Sequence, residues 1–459
     1  MPRNFCGESL ELNNKRILVV GLGRSGVASA LFLQSRGAKV TVSDSKPEDQ
    51  LRQEIPVLLD HGIAVETGRH GERTFQNQDL IVVSPGVPVD AQPLIQARAL
   101  GEQVIGEVEL AAEFLPGPIV AITGSNGKTT TTTLIGEILA KSGLKTLVGG
   151  NIGTPAISLV EQATPDAVTV LEVSSFQLET IRTFRPKVAL VLNVTLDHLD
   201  RHRTFEAYAA AKARVFENQQ AHDFTVLNAE DPTCVRMAKD TKAQLFWFNR
   251  KHEVDQGTFV RQGIVHLRRN GREQQIMPVA EIPLKGAHNV ENVLAAICTA
   301  DLMGCPPDAV RNAVRDFKAV EHRLQYVATV RGVEYYNDSK ATNVDATIKA
   351  LESFSGNIHL ILGGKDKGSD YTVLNGLLRE RVKCVYTIGA AAEKIERHIT
   401  GAAKITPSRT MDKAVAQAST NAQAGDIVLL APACASFDQF QNYEHRGRVF
   451  KELVLALPK

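Results

Sequence analysis

Charge of one sign is what this chain lacks first: 52 Lys and Arg stand against 51 Asp and Glu, a formal net charge of +1. Such balance gives a nucleic acid or an anionic membrane no electrostatic reason to hold the chain as a whole. Paired cysteines are also missing. The six present, Cys6, Cys234, Cys298, Cys305, Cys384 and Cys434, never fall in C-x-x-C spacing, and they read as scattered reduced thiols of a cytosolic protein. No run reaches the ~18 apolar residues that a membrane span needs. The opening MPRNFCGESLELNNKRILVVG contains no apolar stretch of the about 7–15 residues typical of a secretory signal. Repeats and low-complexity tracts are absent as well. The expectation is a cytoplasmic protein, soluble and monomeric, with no nucleic-acid or membrane partner. What remains is an ordinary globular composition, 43% hydrophobic and 22% charged, over 459 residues, a length that predicts two or three domains.

The organisation is a strand, a turn and a helical stretch, many times over. KRILVVG (15–21), KVTVSD (39–44) and DLIVVSPG (79–86) form one series, and PIVAITG (118–124), AVTVLEVSS (167–175), KVALVLNVT (187–195) and DFTVLN (223–228) a second. IHLILGG (358–364), CVYTIG (384–389) and DIVLLAP (426–432) form a third. This alternation predicts mostly parallel sheets with flanking helices. The fold class is therefore α/β in three domains, near 1–106, 107–319 and 320–459. The outer two are Rossmann-like and the central one is of phosphate-loop type. Asn270-Gly271 between two extended runs marks a hairpin. In open parallel sheets, ligands bind at the carboxyl ends of strands.

At such an end lies VAITGSNGKTTTT (120–132). The usual phosphate loop, G-x-x-x-x-G-K-[ST], would need glycine at position 122, which is Ile122. Here Gly124, Ser125, Asn126, Gly127, Lys128, Thr129 and Thr130 make a loop two residues tighter. A glycine turn between strand and helix still aims backbone N–H groups and a helix N-terminus at a phosphate. Leu134, Ile135, Ile138 and Leu139 supply the helical spacing. Lys128 suits the β- and γ-phosphates of a nucleotide, and the Thr129 hydroxyl suits Mg²⁺. Glu172, near the end of another apolar run, is a candidate magnesium carboxylate, with an exposed edge position as the alternative reading.

In NVTLDHLDRH (193–202), His198 and His202 have zinc-ligand spacing on a helix. No third such ligand is evident, and a phosphate-site role for His198 beside magnesium fits the oxygen-rich surroundings better, with a solvated polar loop as the alternative reading. Lys212 sits on the apolar face formed by Phe205, Tyr208, Val215 and Phe216. It either snorkels to water or is a buried lysine with a depressed pKa. A neutral amine there could take up carbon dioxide as a carbamate, whose oxygens suit magnesium. GLGRSG (21–26) follows a strand, and Asp44 lies at the end of the next, which is a weak dinucleotide signature. A uridine diphosphate could use the same geometry. HNVEN (288–292), EHRLQ (321–325), NDSKATN (337–343), GGKDKGSD (363–370) and APACASFDQFQNYEHRG (432–447) add lysines, serines and arginines that suit phosphates and carboxylates.

Together these residues resemble the Mur ligases, ATP-dependent amino-acid-adding enzymes of peptidoglycan synthesis, over essentially the whole chain. TGSNGKTT indicates the wider superfamily. GLGRSG with SPG, SSFQLE, DHLDRH, NDSKATN and PACASFDQF point to the branch that adds D-glutamate to UDP-N-acetylmuramoyl-L-alanine. The resemblance implies an acyl phosphate on the alanine carboxylate, attack by the amino acid's amine, and release of ADP and phosphate. It implies ATP with two Mg²⁺ ions as cofactors, and a carbamylated Lys212. Lys128, His198 and Lys212 would be catalytic, with Thr129, Glu172 and Lys212 on the metals. Asn289, Asn292, Arg323, Asp338 and Lys340 match positions that contact the nucleotide. Arg24, Ser25, Asp44, Ser45, Lys46, Gly86, Asn151 and His198 match the UDP-sugar site. Thr342, Lys367, Ser436 and Phe437 match the D-glutamate pocket. Phe437 stands where a better-known subgroup has leucine, and Tyr443 where a phenylalanine is common. The rival readings are a nicotinamide-dependent oxidoreductase, a nucleotide switch without a covalent product, and a Mur ligase for another amino acid.

Overall fold

The apolar runs become strands because residues buried on both faces of a parallel sheet must be apolar and are favoured when β-branched. The computed structural model describes residues 10–318 and 320–458, apart from the side chains of Glu72 and Asp200, and Cys6 lies outside them. Its strands form three sheets, one for each series.

The first sheet runs Ala64–Glu66, Lys39–Ser43, Arg16–Val20, Leu80–Val83, Val104–Gly106, all parallel. Its order reverses at Arg16–Val20, which places the following GLGRSG turn at the switch point where such sheets bind ligands. The second sheet has nine strands. Six of them run consecutively to one edge: Gln244–Asn249, Phe224–Asn228, Val188–Val191, Ile119–Thr123, Val168–Glu172 and Thr146–Gly150. They are parallel throughout. Gly257–Arg261 extends the sheet in parallel and then pairs antiparallel with Ile264–Arg269. Asn270 and Gly271, with φ of 51° and 75°, turn that strand back into Arg272–Pro278, the hairpin expected from the sequence. The third sheet runs Gln325–Val330, Val333–Asn337, Ile427–Leu430, Ile358–Gly363, Val382–Ile388, Lys404–Arg409. Only its first pair is antiparallel.

The chain packs as two compact units, one reaching Met277 and including Val293–Ala313, the other Pro278–Asn292 with Val314 onward. The first unit holds two sheets because one apolar core passes through both: Val19 and Val42 connect through Val108, Leu110 and Ile157 to Leu171, Leu178 and Val215. The helix Glu107–Phe114 bridges them with three buried glutamates. Glu109 is fully buried yet satisfied, accepting from the backbone N–H groups of Arg182, Thr183 and Phe184 and from the Thr183 hydroxyl. Among the described residues, no helix is long and apolar enough to cross a membrane. Cys234, Cys298, Cys305, Cys384 and Cys434 are free and buried.

Candidate active site

The tight glycine loop connects the fully buried strand Ile119–Thr123 to the helix Lys128–Lys141. Gly124 has φ +149° and Gly127 φ +85°, backbone shapes that side-chain-bearing residues resist. Leu134, Ile135, Ile138 and Leu139 are the buried face of that helix, as their spacing predicts. Residues remote in sequence brace the loop. Asn193 accepts from the Asn126 N–H at 2.8 Å and donates to the Asn126 carbonyl at 3.1 Å. The Ser125 hydroxyl meets Tyr208 and the Thr195 backbone.

Lys128 Nζ donates to the carbonyls of Gly124 at 2.8 Å and Ser125 at 2.9 Å. Thr129 Oγ1 donates to Glu172 Oε2 at 2.8 Å, and Asn151 Nδ2 donates to Glu172 Oε1 at 2.8 Å. Glu172 is only 1% exposed, so it is an internal carboxylate at the loop rather than an edge residue. A threonine hydroxyl and a buried carboxylate form an oxygen-rich corner that fits a hard cation, beside a helix N-terminus that fits the phosphate.

Lys212 is 1% exposed and does not snorkel. Its Nζ donates to the Gly124 carbonyl at 2.9 Å, the same oxygen that Lys128 reaches. Burial first, and then the like charge of Lys128, hold the Lys212 amine well below the usual lysine range. The structure therefore supplies a buried lysine biased toward the neutral, nucleophilic form.

His198 has left-handed backbone (φ 54°) at the start of the short helix Leu199–His202. Its ring lies edge-on to Phe176 at 4.9 Å. His202 does not join it as a metal ligand: its Nε2 meets Ser175 Oγ at 3.0 Å and its Nδ1 faces Glu179 at 3.5 Å. Among the described residues, no group of three or more His, Cys, Asp or Glu side chains is placed to hold a metal.

Phe176, Gln177 and Thr180 also line a small cleft with Ser84, Pro85 and Val87 of the SPG stretch. Glu107 lies on the cleft wall, and burial pushes its carboxyl up to about 7, against hydrogen bonds from Ile157, Ala156 and Gln177. A folded-state pKa raised from 4.5 stabilises the fold fully below the unfolded value and is lost as pH rises through 7, a span of roughly 3 kcal/mol. Glu107→Gln is thus expected to melt several degrees above wild type at pH 8.5, with the gap shrinking or reversing at pH 5. Differential scanning calorimetry at the two pH values measures the gap, and a gap independent of pH would contradict the assignment.

In the first sheet, Gly21 takes φ +92°, and a Cβ on Gly26 would fall 1.8 Å from the Gly21 carbonyl, so the turn admits only glycine there. Asp44 is buried and accepts from the Leu22 N–H at 2.6 Å and the Lys46 N–H at 2.8 Å. It holds the glycine turn and its own loop together. Ser84 Oγ donates to the Gly21 carbonyl at 2.8 Å, joining SPG to GLGRSG. Arg24, Ser45, Lys46 and Gly86 are exposed around this turn, with Ser25 half-buried. Arg201 links the regions, donating to the Val87 carbonyl at 2.9 Å and to Glu179 at 2.8 Å.

In the second unit, Asn292 Nδ2 donates to Asn289 Oδ1 at 3.1 Å, and both residues are buried. Asp338 has its carboxyl pushed up to about 7 by burial, opposed by the Arg323 charge and the Leu324 N–H. Lys340 Nζ lies 3.8 Å from the centre of the Tyr443 ring. Ser436 is buried, Thr342 half-buried, and Lys367 and Phe437 exposed. Arg446, the arginine of the 432–447 stretch that the sequence offers to anions, is instead fully buried. Its guanidinium donates to the Ser339 hydroxyl and carbonyl and to the Cys434 and Ala435 carbonyls. It ties NDSKATN to PACASF. Asn193, Tyr208 and Arg446 were the structural supports that the sequence motifs did not reveal.

The sheets and the loop define a three-domain α/β phosphate-loop protein. Three family models match in order: "Mur ligase MurD-like, N-terminal domain" over residues 15–106, "Mur ligase middle domain" over 122–300, and "Mur ligase, glutamate ligase domain" over 322–434. The chain belongs to the Mur ligase family. Two relatives named "UDP-N-acetylmuramoylalanine--D-glutamate ligase" come from Koribacter versatilis and Acidobacterium capsulatum. The first is 66% identical, covering 97% of this chain and 98% of its own. The second is 58% identical, covering 97% of each. The crystal structure of UDP-N-acetylmuramate-alanine ligase from Thermotoga maritima shares the fold, with TM-score 0.60, 19% identity, and coverage of 96% of this chain and all of that one.

Proposed function

We propose that this protein is the ATP-dependent ligase that joins D-glutamate to UDP-N-acetylmuramoyl-L-alanine, acting as a cytoplasmic monomer and releasing ADP and phosphate. The observation that carries the chemistry is the convergence of Lys128 and Lys212 on one carbonyl, Gly124 O, beside the Thr129–Glu172 pair. The substrate assignment is supported by the name shared by relatives up to 66% identical over nearly the full chain.

In this reading, residues 1–106 bind the UDP-sugar, 107–319 the nucleotide phosphates, and 320–459 the amino acid. Backbone N–H groups of the loop and the Lys128 ammonium neutralise the phosphates. An alanine carboxylate oxygen attacks the γ-phosphorus, and ADP leaves. The D-glutamate amine then attacks the acyl carbon and loses a proton. The carbon–oxygen bond to phosphate breaks, leaving the amide. Thr129, Glu172 and a carbamate on Lys212 would hold two magnesium ions, which when bound neutralise charge on the transferring oxygens. The carbamate forms when the neutral Lys212 nitrogen bonds to the carbon of carbon dioxide and releases a proton. His198 works at the reacting carboxyl and, with Arg24, Ser25, Asp44, Ser45, Lys46, Gly86 and Asn151, on the UDP-sugar. Asn289, Asn292, Arg323, Asp338 and Lys340 contact the nucleotide. Thr342, Lys367, Ser436 and Phe437 take the D-glutamate. Positioning and electrostatic stabilisation of oxygens with growing charge supply most of the rate.

The test is phosphate release from ATP and Mg²⁺ with UDP-N-acetylmuramoyl-L-alanine across a panel of amino acids. Release with D-glutamate alone is expected. Release with a different amino acid would overturn the pocket assignment, and release without any would overturn ligation.

A further inference from the structure

The loop after strand Ile358–Gly363 carries Lys367, and a cluster beside that lysine holds the loop from within. Asp366 is its centre. Its Oδ2 accepts from Lys394 Nζ at 2.7 Å, and its Oδ1 from the Tyr371 hydroxyl at 2.7 Å and the Ser369 N–H at 3.2 Å. Tyr371 is fully buried, and its oxygen also meets Cys434 Sγ at 3.0 Å. A hydroxyl has one proton. Tyr371 gives it to Asp366, so the Cys434 thiol donates to Tyr371. Partial burial raises the Asp366 carboxyl, but Lys394, Tyr371 and the Ser369 N–H outweigh it and hold the group below the usual carboxylate range.

The same cluster registers two loops. Lys365, one residue before Asp366, exchanges both backbone hydrogen bonds with Ala435, at 2.8 and 3.1 Å. Ala435 is one residue before Ser436. The segment leading into the Lys394 helix, Ala392–His398, is tied to both loops. Ala391 N–H donates to Gly364 O, and Ala390 N–H donates to Asp438 Oδ2, each at 2.8 Å. Lys367, Ser436 and Lys394 are therefore mounted on one braced frame.

We propose that Asp366, neutralised by Lys394 and anchored by Tyr371, is a positioning residue for the amino-acid pocket, setting the backbone from which Lys367 reaches an acidic substrate. The inference rests on reading Lys367 and Ser436 as that pocket. Its electrostatic logic is specific. Without Lys394, the Asp366 carboxylate keeps only its Tyr371 and Ser369 donors and carries an unneutralised charge one residue from Lys367, where it draws the Lys367 ammonium away from the substrate.

The test uses the full-length enzyme and measures KM for D-glutamate, ATP and the UDP-sugar, with kcat and Tm, for Lys394→Met, Lys394→Arg, Lys367→Met and the Lys394→Met/Lys367→Met pair. Lys394→Met is expected to raise KM for D-glutamate roughly tenfold, the scale of one lost charge-assisted interaction, with the other KM values and kcat within about twofold. Lys394→Arg should restore it. In the Lys367→Met background the Lys394→Met effect should vanish, because it acts through Lys367. If Lys367→Met raises KM for D-glutamate and Lys394→Met does not, the positioning role is wrong and the pocket stands. If Lys367→Met leaves that KM unchanged, the pocket reading itself fails. If Lys394→Met raises all three KM values and lowers Tm, with no recovery in Lys394→Arg, the cluster is only structural.

Discussion

Lys128→Met is expected to lower kcat by on the order of 10³ and to weaken ATP binding while leaving Tm unchanged. The loop has supports beyond the two carbonyl contacts of the lysine: Gly124 and Gly127 supply the backbone, and Asn193 and Tyr208 brace it. The ammonium is a preorganised charge at the loop mouth, and losing one such group from a transition-state site costs at least 10²-fold or so. A second effect adds to the first. Burial is the main cause of the depressed Lys212 amine and the Lys128 charge adds to it, so removing Lys128 shifts Lys212 part of the way back toward its protonated form and weakens the carbamate. Steady-state ADP release alongside calorimetry checks both points. A Lys128→Met enzyme with normal kcat would remove the phosphate-loop role, and a large drop in Tm would make the lysine structural.

Lys212→Ala is expected to lose activity by on the order of 10³ or more, and Lys212→Arg should not recover it. A guanidinium stays protonated and cannot form the carbamate. A short-chain carboxylate should return part of the activity to Lys212→Ala, because its two oxygens can occupy the space of the missing carbamate oxygens beside Gly124. Excluding carbon dioxide and bicarbonate from the buffer should slow the wild type and leave Lys212→Ala unaffected. Full activity in Lys212→Ala, or acid rescue of Lys212→Arg as strong as of Lys212→Ala, would contradict the role.

How far the sequence could be read follows from burial. A strand covered on both faces is written as a nearly continuous apolar run, so Arg16–Val20, Ile119–Thr123 and Ile358–Gly363 were legible. Ala64–Glu66 and Val104–Gly106 have three residues each, too few for a period, and Gln325–Val330 is an edge strand that need not be apolar on both faces. The loop itself was legible because its glycines, lysine and threonine are adjacent in the chain. Its supports were not: Ser125 meets Tyr208 across 83 positions and Asn126 meets Asn193 across 67. The buried Glu109 had no local sign either, since its partners are backbone N–H groups more than 70 residues away. Lys212 was visible as a charge on an apolar face. Only the structure distinguishes a buried amine from a snorkelling one.

The Asp44 position shows how one pattern carries two meanings. A glycine turn followed by an acid at the next strand end suggested a dinucleotide site. In the structure the carboxylate caps the turn, accepting from the Leu22 and Lys46 N–H groups. The pattern therefore reports the turn, and the nicotinamide reading gains nothing from it.

The central claim is that the alanine carboxylate is phosphorylated before the peptide bond forms. The most direct measurement supplies UDP-N-acetylmuramoyl-L-alanine with heavy oxygen at both carboxylate positions, runs the reaction with D-glutamate and ATP, and weighs the released phosphate by mass spectrometry. The account predicts one heavy oxygen in each phosphate, carried over when the acyl carbon–oxygen bond breaks. Phosphate that carries none would mean that ATP is cleaved by water and that no acyl phosphate lies on the path.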